Sequence, residues 1–429
     1  MINSNQEYDV IIIGAGPSGA LAASLLVQNN LRVLVVEKQH FPRFSIGESL
    51  LPQSMTYLEQ ANLLSAVEDC AEKLGFQYKN GAVFSSSNQE SIFDFSQKLS
   101  DGPEYTYQVK RAEFDQLLAQ KAQEFGADFA FGYAVNSIEF TPQPILNVSN
   151  QEAQNQKGAG KVADELKLRC KFVLDASGFA RVLPRLLDLD LPSDFPVRSS
   201  VFAHISDNIT DSSFDRNKIL IESHPELQDV WYWLIPFSDG TASVGCVAQP
   251  QFFDNIRSIG AFESTDSLLL NCIEQTPRLS SLLTQADIIR PAQQITGYSS
   301  NVKQLYGEHY ALLGNAGEFL DPIFSSGVTI AFKSASLASD CLLKQFNHHP
   351  VCWETEFAQP LKTGVDTFKA FVHSWYQGQL QQIIQFQEAP QNVREMICSV
   401  LAGYAWDKQN PYNQSTQKRL DVLGELCAS

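Results

Sequence analysis

The apolar, β-branched run Tyr8–Ile13 ends in Gly14-Ala15-Gly16-Pro17-Ser18-Gly19, and few folds accommodate that order of residues. Such a run reads as a buried parallel strand. Gly14 permits a tight turn, Gly16 lets the backbone come close to a pyrophosphate, and Gly19 allows close packing of the helix expected through Leu21–Gln28. Pro17 and Ser18 open that helix, whose amino end attracts phosphate. A second strand, Arg32–Val36, closes on Glu37, 23 residues after Gly14, where a carboxylate can bind a ribose hydroxyl, and Lys38 follows. Strand, turn, helix, strand and acid together predict a dinucleotide site. A tight turn without a ligand is the plainer alternative.

With 429 residues the chain can bury a large core divided into two or three structural units. No uncharged apolar stretch reaches the length of a membrane span, and the chain enters its first strand too early for a signal peptide, so a soluble, cytoplasmic protein is expected. The eight cysteines are scattered without a Cys-x-x-Cys pair, which argues against zinc and against a disulfide framework; no metal is expected. A net charge of −17 opposes attraction to nucleic acid or to an anionic membrane.

Downstream the pattern is interleaved. Residues 112–126 have helical apolar spacing, 127–133 resume a strand pattern, and the Gln/Asn/Gly-rich stretch 142–162 reads as a long, mobile hairpin tip. Cys170–Asp175 is a strand that runs into Ala176-Ser177-Gly178, a second acid–glycine turn, and residues 198–247 alternate like sheet strands. Tyr310–Leu313 ends at Gly314-Asn315-Ala316, and a helix can start near Val328 with its amino end toward the ligand.

The set Gly14/Gly16/Gly19, Asp175-Ala176-Ser177-Gly178 and Gly314-Asn315-Ala316 resembles the FAD domain of the hydroxybenzoate-hydroxylase-type flavoproteins over nearly the whole chain. The resemblance implies an α/β fold with a Rossmann-like FAD-binding domain interleaved from 1–75, 105–185 and 300–345. An antiparallel substrate-side sheet would come from 76–104 and 186–299, and a C-terminal helical region from 346–429. Asn315 stands where that family usually has Asp, so it can hydrogen-bond there without charge.

Within this group the chain is similar to the flavin-dependent halogenases. Phe41-Pro42-Arg43-Phe44-Ser45-Ile46-Gly47-Glu48-Ser49-Leu50-Leu51-Pro52 resembles their turn beside the flavin. Trp231-Tyr232-Trp233-Leu234-Ile235-Pro236 matches their W-x-W-x-I-P pattern, and Phe319 to Gly327 matches F-x-x-P-x-x-S-x-G. Lys79 falls at their catalytic lysine. The resemblance implies FAD contacts from Gly14, Gly16, Pro17, Ser18, Gly19, Glu37, Lys38, Arg43, Ser49 and Arg111, and from Asp175, Gly178, Gly314, Asn315, Pro322, Gly327 and Val328. It implies halide held by the backbone N–H groups of Ser326 and Gly327, with Trp231, Trp233 and Phe324 as a barrier between flavin and substrate. Reduced FAD, oxygen and halide would give hypohalous acid, which Lys79 either hydrogen-bonds as an ammonium or meets as an amine to form a haloamine. A buried route from flavin to Lys79, wide enough for the oxidant and too narrow for an arene, is expected. Glu48 either orients a group near the flavin or satisfies donors in its own turn, Lys79 is otherwise a solvated lysine, and the two tryptophans otherwise pack the core.

No second dinucleotide pattern is present, so a separate flavin reductase is the expected electron source. Tryptophan halogenases have Glu at the position of Phe324 and a longer C-terminal region, which points this chain toward a phenol or pyrrole substrate, free or held on an acyl or peptidyl carrier protein. Phe368, Phe371 and Trp375 have helical spacing and either cover an aromatic pocket or simply pack. Two other functions fit the same fold: a non-halogenating FAD-dependent monooxygenase or dehydrogenase, and a flavin-binding structural or sensory protein without turnover.

Overall fold

The computed structural model describes residues 7–87, 89–151, 165–260, 264–386 and 390–428. Part of the stretch expected as a hairpin tip, residues 152–162, lies outside them. The remainder of that stretch is more regular than its composition suggests: Ile145–Asn150 is a strand that pairs with both Tyr133–Glu139 and Glu165–Arg169. Its alternate side chains Leu146 and Val148 are fully buried, which outweighs the polar residues between them.

The first sheet is built on five parallel strands in the order Tyr310–Leu312, Glu165–Asp175, Glu7–Ile13, Val33–Glu37 and Asp128–Phe131. The strands Glu7–Ile13 and Val33–Glu37 and the carboxyl end of Glu165–Asp175 are buried on both faces, as near-continuous runs of Val, Ile and Leu require. The helix Pro17–Val27 has no polar side; residues Pro17 to Leu26 are all buried, because the helix lies against the sheet and against the long helix Gly327–Phe346. Pro17 opens it, where a missing N–H costs nothing.

The second sheet has seven strands in the order Asp287–Thr296, Ser199–Ser206, Thr241–Ala248, Trp231–Pro236, Lys218–Ser223, Gly81–Ser86 and Gln89–Asp94. The sheet is antiparallel, as expected, except where Lys218–Ser223 and Gly81–Ser86 run parallel. In Trp231–Pro236 every residue is buried, and alternation divides them between two cores: Trp231, Trp233 and Ile235 face the large one, Tyr232 and Leu234 a smaller one under the flanking helices. Lys79 belongs to neither main sheet. It ends the short strand Gln77–Lys79, which pairs with Thr106–Gln108.

Phe368, Phe371 and Trp375 of the helix Gln359–Tyr376 are packing residues, exposed by 1 % at most. The Trp375 ring meets Phe84 and Phe324 at 5.9 and 6.0 Å, which ties the C-terminal helices to the second sheet. Among the described residues no helix is long and apolar enough to cross a membrane.

Gly19 marks the tightest junction. A Cβ there would lie 2.0 Å from the Gly14 carbonyl oxygen and 3.2 Å from the Ala176 Cβ, with backbone that cannot yield. Gly19→Ala is therefore expected to cost about 3 kcal/mol of stability, read as a lower urea unfolding midpoint, or to prevent folding; a wild-type midpoint would contradict this packing.

Candidate functional site

The carboxyl ends of the parallel strands carry three turns that meet around one cleft of about 320 Å³. Lateral hydrogen bonds set their positions: Gly14 N–H to Val36 O, Ala176 N–H to Ile13 O and Leu313 N–H to Asp175 O, each 2.8 Å. Gly14 has φ +100°, and a side chain there would strike the Ala176 carbonyl at 2.5 Å. Gly16 differs, because its nearest neighbour would be Arg43 Nη2 at 3.7 Å and its open side faces the cleft. Pro17 and Ser18 also line the cleft, at a helix amino end whose first N–H groups have no partner within the helix.

Glu37 lines the cleft beside Lys38. Its Oε2 accepts from Ala15 N–H at 2.9 Å and its Oε1 from Gln39 N–H at 3.0 Å, so the carboxylate is fixed in place while each oxygen retains a lone pair. Arg43 and Arg111 give this end positive charge and share one buried counter-ion: Asp115 accepts from Arg43 Nη1 at 2.9 Å and from Arg111 Nε at 2.8 Å and Nη2 at 3.0 Å. A glycine cradle, a helix amino end, an anchored acid and two cations suit the pyrophosphate and ribose of an adenine dinucleotide.

Asp175 does not reach the cleft. It is fully buried, accepts from Ser177 N–H at 2.9 Å and Leu183 N–H at 2.7 Å, and burial raises its pKa above the usual carboxylate value. It shapes the turn, and Ala176, Ser177 and Gly178 form the wall. Gly314 likewise stays behind the surface, its N–H bonded to Ser334 Oγ at 2.9 Å, and Asn315 lines the cleft. Gly19, packed on Gly14, is also outside the wall. Pro322, Gly327 and Val328 line the opposite side, and the Gly327–Phe346 helix points its amino end inward. Ser326 is buried outside the wall; the neighbouring Ser325, in a left-handed conformation with φ +55°, takes the place expected for it.

Of the three residues expected to form a barrier, Trp231 and Trp233 are in the wall, 5.9 Å apart between ring centres. Their indole N–H groups donate to Tyr376 Oη at 2.9 Å and Ser243 Oγ at 3.1 Å. They pack the core and face the cleft at once, so the two alternatives are not exclusive. Phe324, contrary to expectation, turns away, against Phe371 and Trp375, because the short 3₁₀ turn Pro322–Phe324 directs it to the C-terminal helices.

Lys79 is no solvated lysine. It is 1 % exposed, and burial pulls its pKa down to about 7. Its Nζ donates to Ser49 Oγ and to Leu50 O, both at 2.8 Å, and lies 5.5 Å from the centre of the Phe95 ring. The expectation of an open route to it needs correction, since Lys79 is not in the cleft wall. Ser49 is, and its Oγ accepts from the amine. Glu48, in the wall and 1 % exposed, bonds through Oε1 to His204 Nε2 at 2.5 Å.

Sequence reasoning missed Asp115, His204 and Arg181. Asp115 has a local signal, four residues after Arg111 in a helix. Arg181 braces the third turn by donating to the carbonyls of Asn315, Ala316 and Gly317 at 3.2 to 3.4 Å. Like His204, it is joined to its partners only by the fold. Among the described residues no cluster of His, Cys, Asp or Glu is arranged to hold a metal.

Gly16→Val is expected to fold normally, since its Cβ meets no atom closer than 3.7 Å, yet to lose FAD binding by at least about a hundredfold in a flavin fluorescence titration, because the side chain fills the space a pyrophosphate needs. Undiminished binding would overturn the placement of the pyrophosphate.

Residues 7–227 match the family described as FAD binding domain. The chain is similar to the 1H-pyrrole-2-carbonyl-[peptidyl-carrier protein] chlorinase of Pseudomonas fluorescens, 27% identical over 87% of this chain and 84% of that one. A solved flavoprotein/dehydrogenase from Cytophaga hutchinsonii is 36% identical over 99% of each chain, with a TM-score of 0.91. The flavin-dependent brominase Bmp2 shares the fold at 23% identity over 97% of this chain and 100% of that one, with a TM-score of 0.79. Six other halogenases that it matches are longer, and the chain spans 60–66% of their length. With a cleft shaped for the dinucleotide and a match across half its length, the chain belongs to the FAD binding domain family of flavoproteins.

Proposed function

We propose that this flavoprotein is an FAD-dependent halogenase acting on a phenol- or pyrrole-type aromatic, free or held on a carrier protein, with its FAD reduced by a separate flavin reductase. The observation that carries the reading is the Lys79 amine, buried, held near neutrality by burial and one side chain from the FAD cleft. Bound and reduced, FAD supplies two electrons to oxygen, and halide turns the resulting oxidant into hypohalous acid. Gly327 N–H, at a helix amino end in the cleft wall, provides positive potential for the halide. Trp231 and Trp233 exclude an arene from that end of the cleft.

An ammonium is a poor nucleophile, and a pKa near 7 leaves about half the amine free at neutral pH. Lys79 then reacts with hypohalous acid to give the N-halo amine and water, and the aromatic carbon takes the halogen and returns the amine. Ser49, which lines the cleft, holds the amine by accepting from its Nζ. Similarity to a carrier-protein-dependent chlorinase supports a tethered pyrrole as one substrate form.

A second reading has its own support: the closed wall at Ser49 and the likeness to a flavoprotein/dehydrogenase fit an FAD-dependent oxidoreductase that uses no halide. Lys79→Ala separates the two. Halogenated product, followed by mass spectrometry with bromide, a flavin reductase and a panel of phenols and pyrroles, is expected to fall by at least about a hundredfold while FAD binding and reoxidation persist. Halide-independent oxidation of substrate that ignores the substitution would favour the second reading.

The pH profile tests the amine itself. Lys79 has its folded pKa lowered to about 7, so the reactive neutral form is lost as pH falls through that value. Product formation should drop about tenfold per pH unit below 7, with flavin reoxidation followed as the control. A rate that rises as pH falls would instead assign Lys79 the ammonium's role of hydrogen-bonding the oxidant.

A further inference from the structure

One donor in the cleft wall finds its answer deeper in the protein. An indole N–H can only donate, and Trp231, which carries one into the wall, is 2 % exposed. Its partner, Tyr376 Oη at 2.9 Å, is therefore the acceptor and has to direct its own proton elsewhere. Asp321 receives it, accepting from Tyr376 Oη through Oδ2 at 2.9 Å. The three residues come from separate elements: the strand Trp231–Pro236, the helix Gln359–Tyr376 and the segment just before Pro322. The F-x-x-P-x-x-S-x-G pattern leaves position 321 unspecified.

We infer that Asp321 is a positioning residue of the FAD cleft: through Tyr376 it holds the Trp231 indole in place, and with its other oxygen it holds the turn that leads into the helix Gly327–Phe346. Oδ1 accepts from Ile323 N–H at 3.1 Å, which caps the short turn Pro322–Phe324. Pro322, Ile323, Ser325 and Gly327 of this segment line the cleft, as Trp231 does. One carboxyl group, 4 % exposed, thus ties the second sheet and the start of that helix to each other where both meet the cleft.

A carboxylate suits this place because two donors converge on it and it has an acceptor oxygen for each; an amide has one such oxygen, and its NH₂ group would face the second donor. Burial pushes the Asp321 carboxyl up to about 6, against the lowering effect of both hydrogen bonds and of Arg198, so the carboxylate predominates at pH 8. Arg198, 5 % exposed, lies 3.5 Å over the Tyr376 ring and donates to Asp229 O at 3.1 Å, so the ring is held on its face as well as at its hydroxyl. Trp233, two residues along the same strand, donates instead to Ser243 Oγ on the neighbouring strand of its own sheet. Of the two indoles in the wall, Trp231 is the one whose position answers to Asp321.

This inference rests on the cleft as the FAD site and not on halide transfer, and the test keeps the two apart. Tyr376→Phe keeps the ring under Arg198 and removes both hydrogen bonds, and Asp321→Asn removes one acceptor; Tyr404→Phe, which loses a hydrogen bond to Pro103 O outside the cleft wall, is the control. In FAD-free protein at pH 8 the Trp231 indole N–H is followed by NMR and identified by its absence from Trp231→Phe. It is expected to exchange slowly with water in wild type and in Tyr404→Phe, and at least about tenfold faster in Tyr376→Phe and Asp321→Asn. After loading with FAD, the visible absorption bands of the flavin are expected to shift in those two variants and to stay in place in Tyr404→Phe, which a role confined to folding would not produce. Wild-type indole exchange in Asp321→Asn, flavin bands at wild-type positions in either variant, or equal shifts in Tyr404→Phe would overturn the inference. Rapid exchange of the Trp231 N–H in wild type would overturn it too, whether or not the variants fold. Lack of brominated product from a protein that shows the expected exchange and band shifts would count against the halogenase reading alone.

Discussion

Contact between the first glycine turn and the backbone at Ala176 governs the geometry of everything else. Gly14 and Gly19 allow the helix Pro17–Val27, the strand Glu7–Ile13 and the turn at Asp175 to come together without a side chain between them. Because neighbouring strands are then joined at their carboxyl ends by three backbone hydrogen bonds, turns from residues 14, 176 and 314 face one space. Asp175 and Arg181 act behind that surface, one capping the second turn and the other bracing the third. The cleft is thus a product of packing between the three turns.

Much of this was legible from sequence, because local patterns encode it. Tyr8–Ile13, the glycines and Glu37 are contiguous signals with one physical solution, and each lies where that solution puts it. Strand Ile145–Asn150 was obscured by its polar residues, since only tertiary packing shows which side of a strand is buried. His204 and Glu48 are 156 residues apart, and no spacing rule connects them. Phe324 was misplaced for a different reason: the motif fixes its backbone, whereas the direction of its ring depends on the C-terminal helices.

Lys79 shows both the reach and the limit of motif reasoning. Position in the pattern marks the residue, but its burial, its lowered pKa and its seat on Ser49 and Leu50 emerge only from the fold, which buries the last residue of the short Gln77–Lys79 strand beside Phe95. A buried lysine is expensive, and an amine retained in such a place despite the desolvation cost is a stronger functional sign than the motif alone. Ser49 sets the remaining condition, because it belongs to the cleft wall and to the lysine's hydrogen-bond shell together.

The most direct measurement is a single turnover of reduced, FAD-loaded protein with oxygen and bromide and no aromatic, gel-filtered at once and treated with a thioether. Proposed chemistry at Lys79 predicts close to one equivalent of sulfoxide per flavin from halogen retained on the protein, and none when bromide is omitted. Hydrogen peroxide equal to the flavin oxidised, with no oxidising equivalent left on the protein, would contradict it.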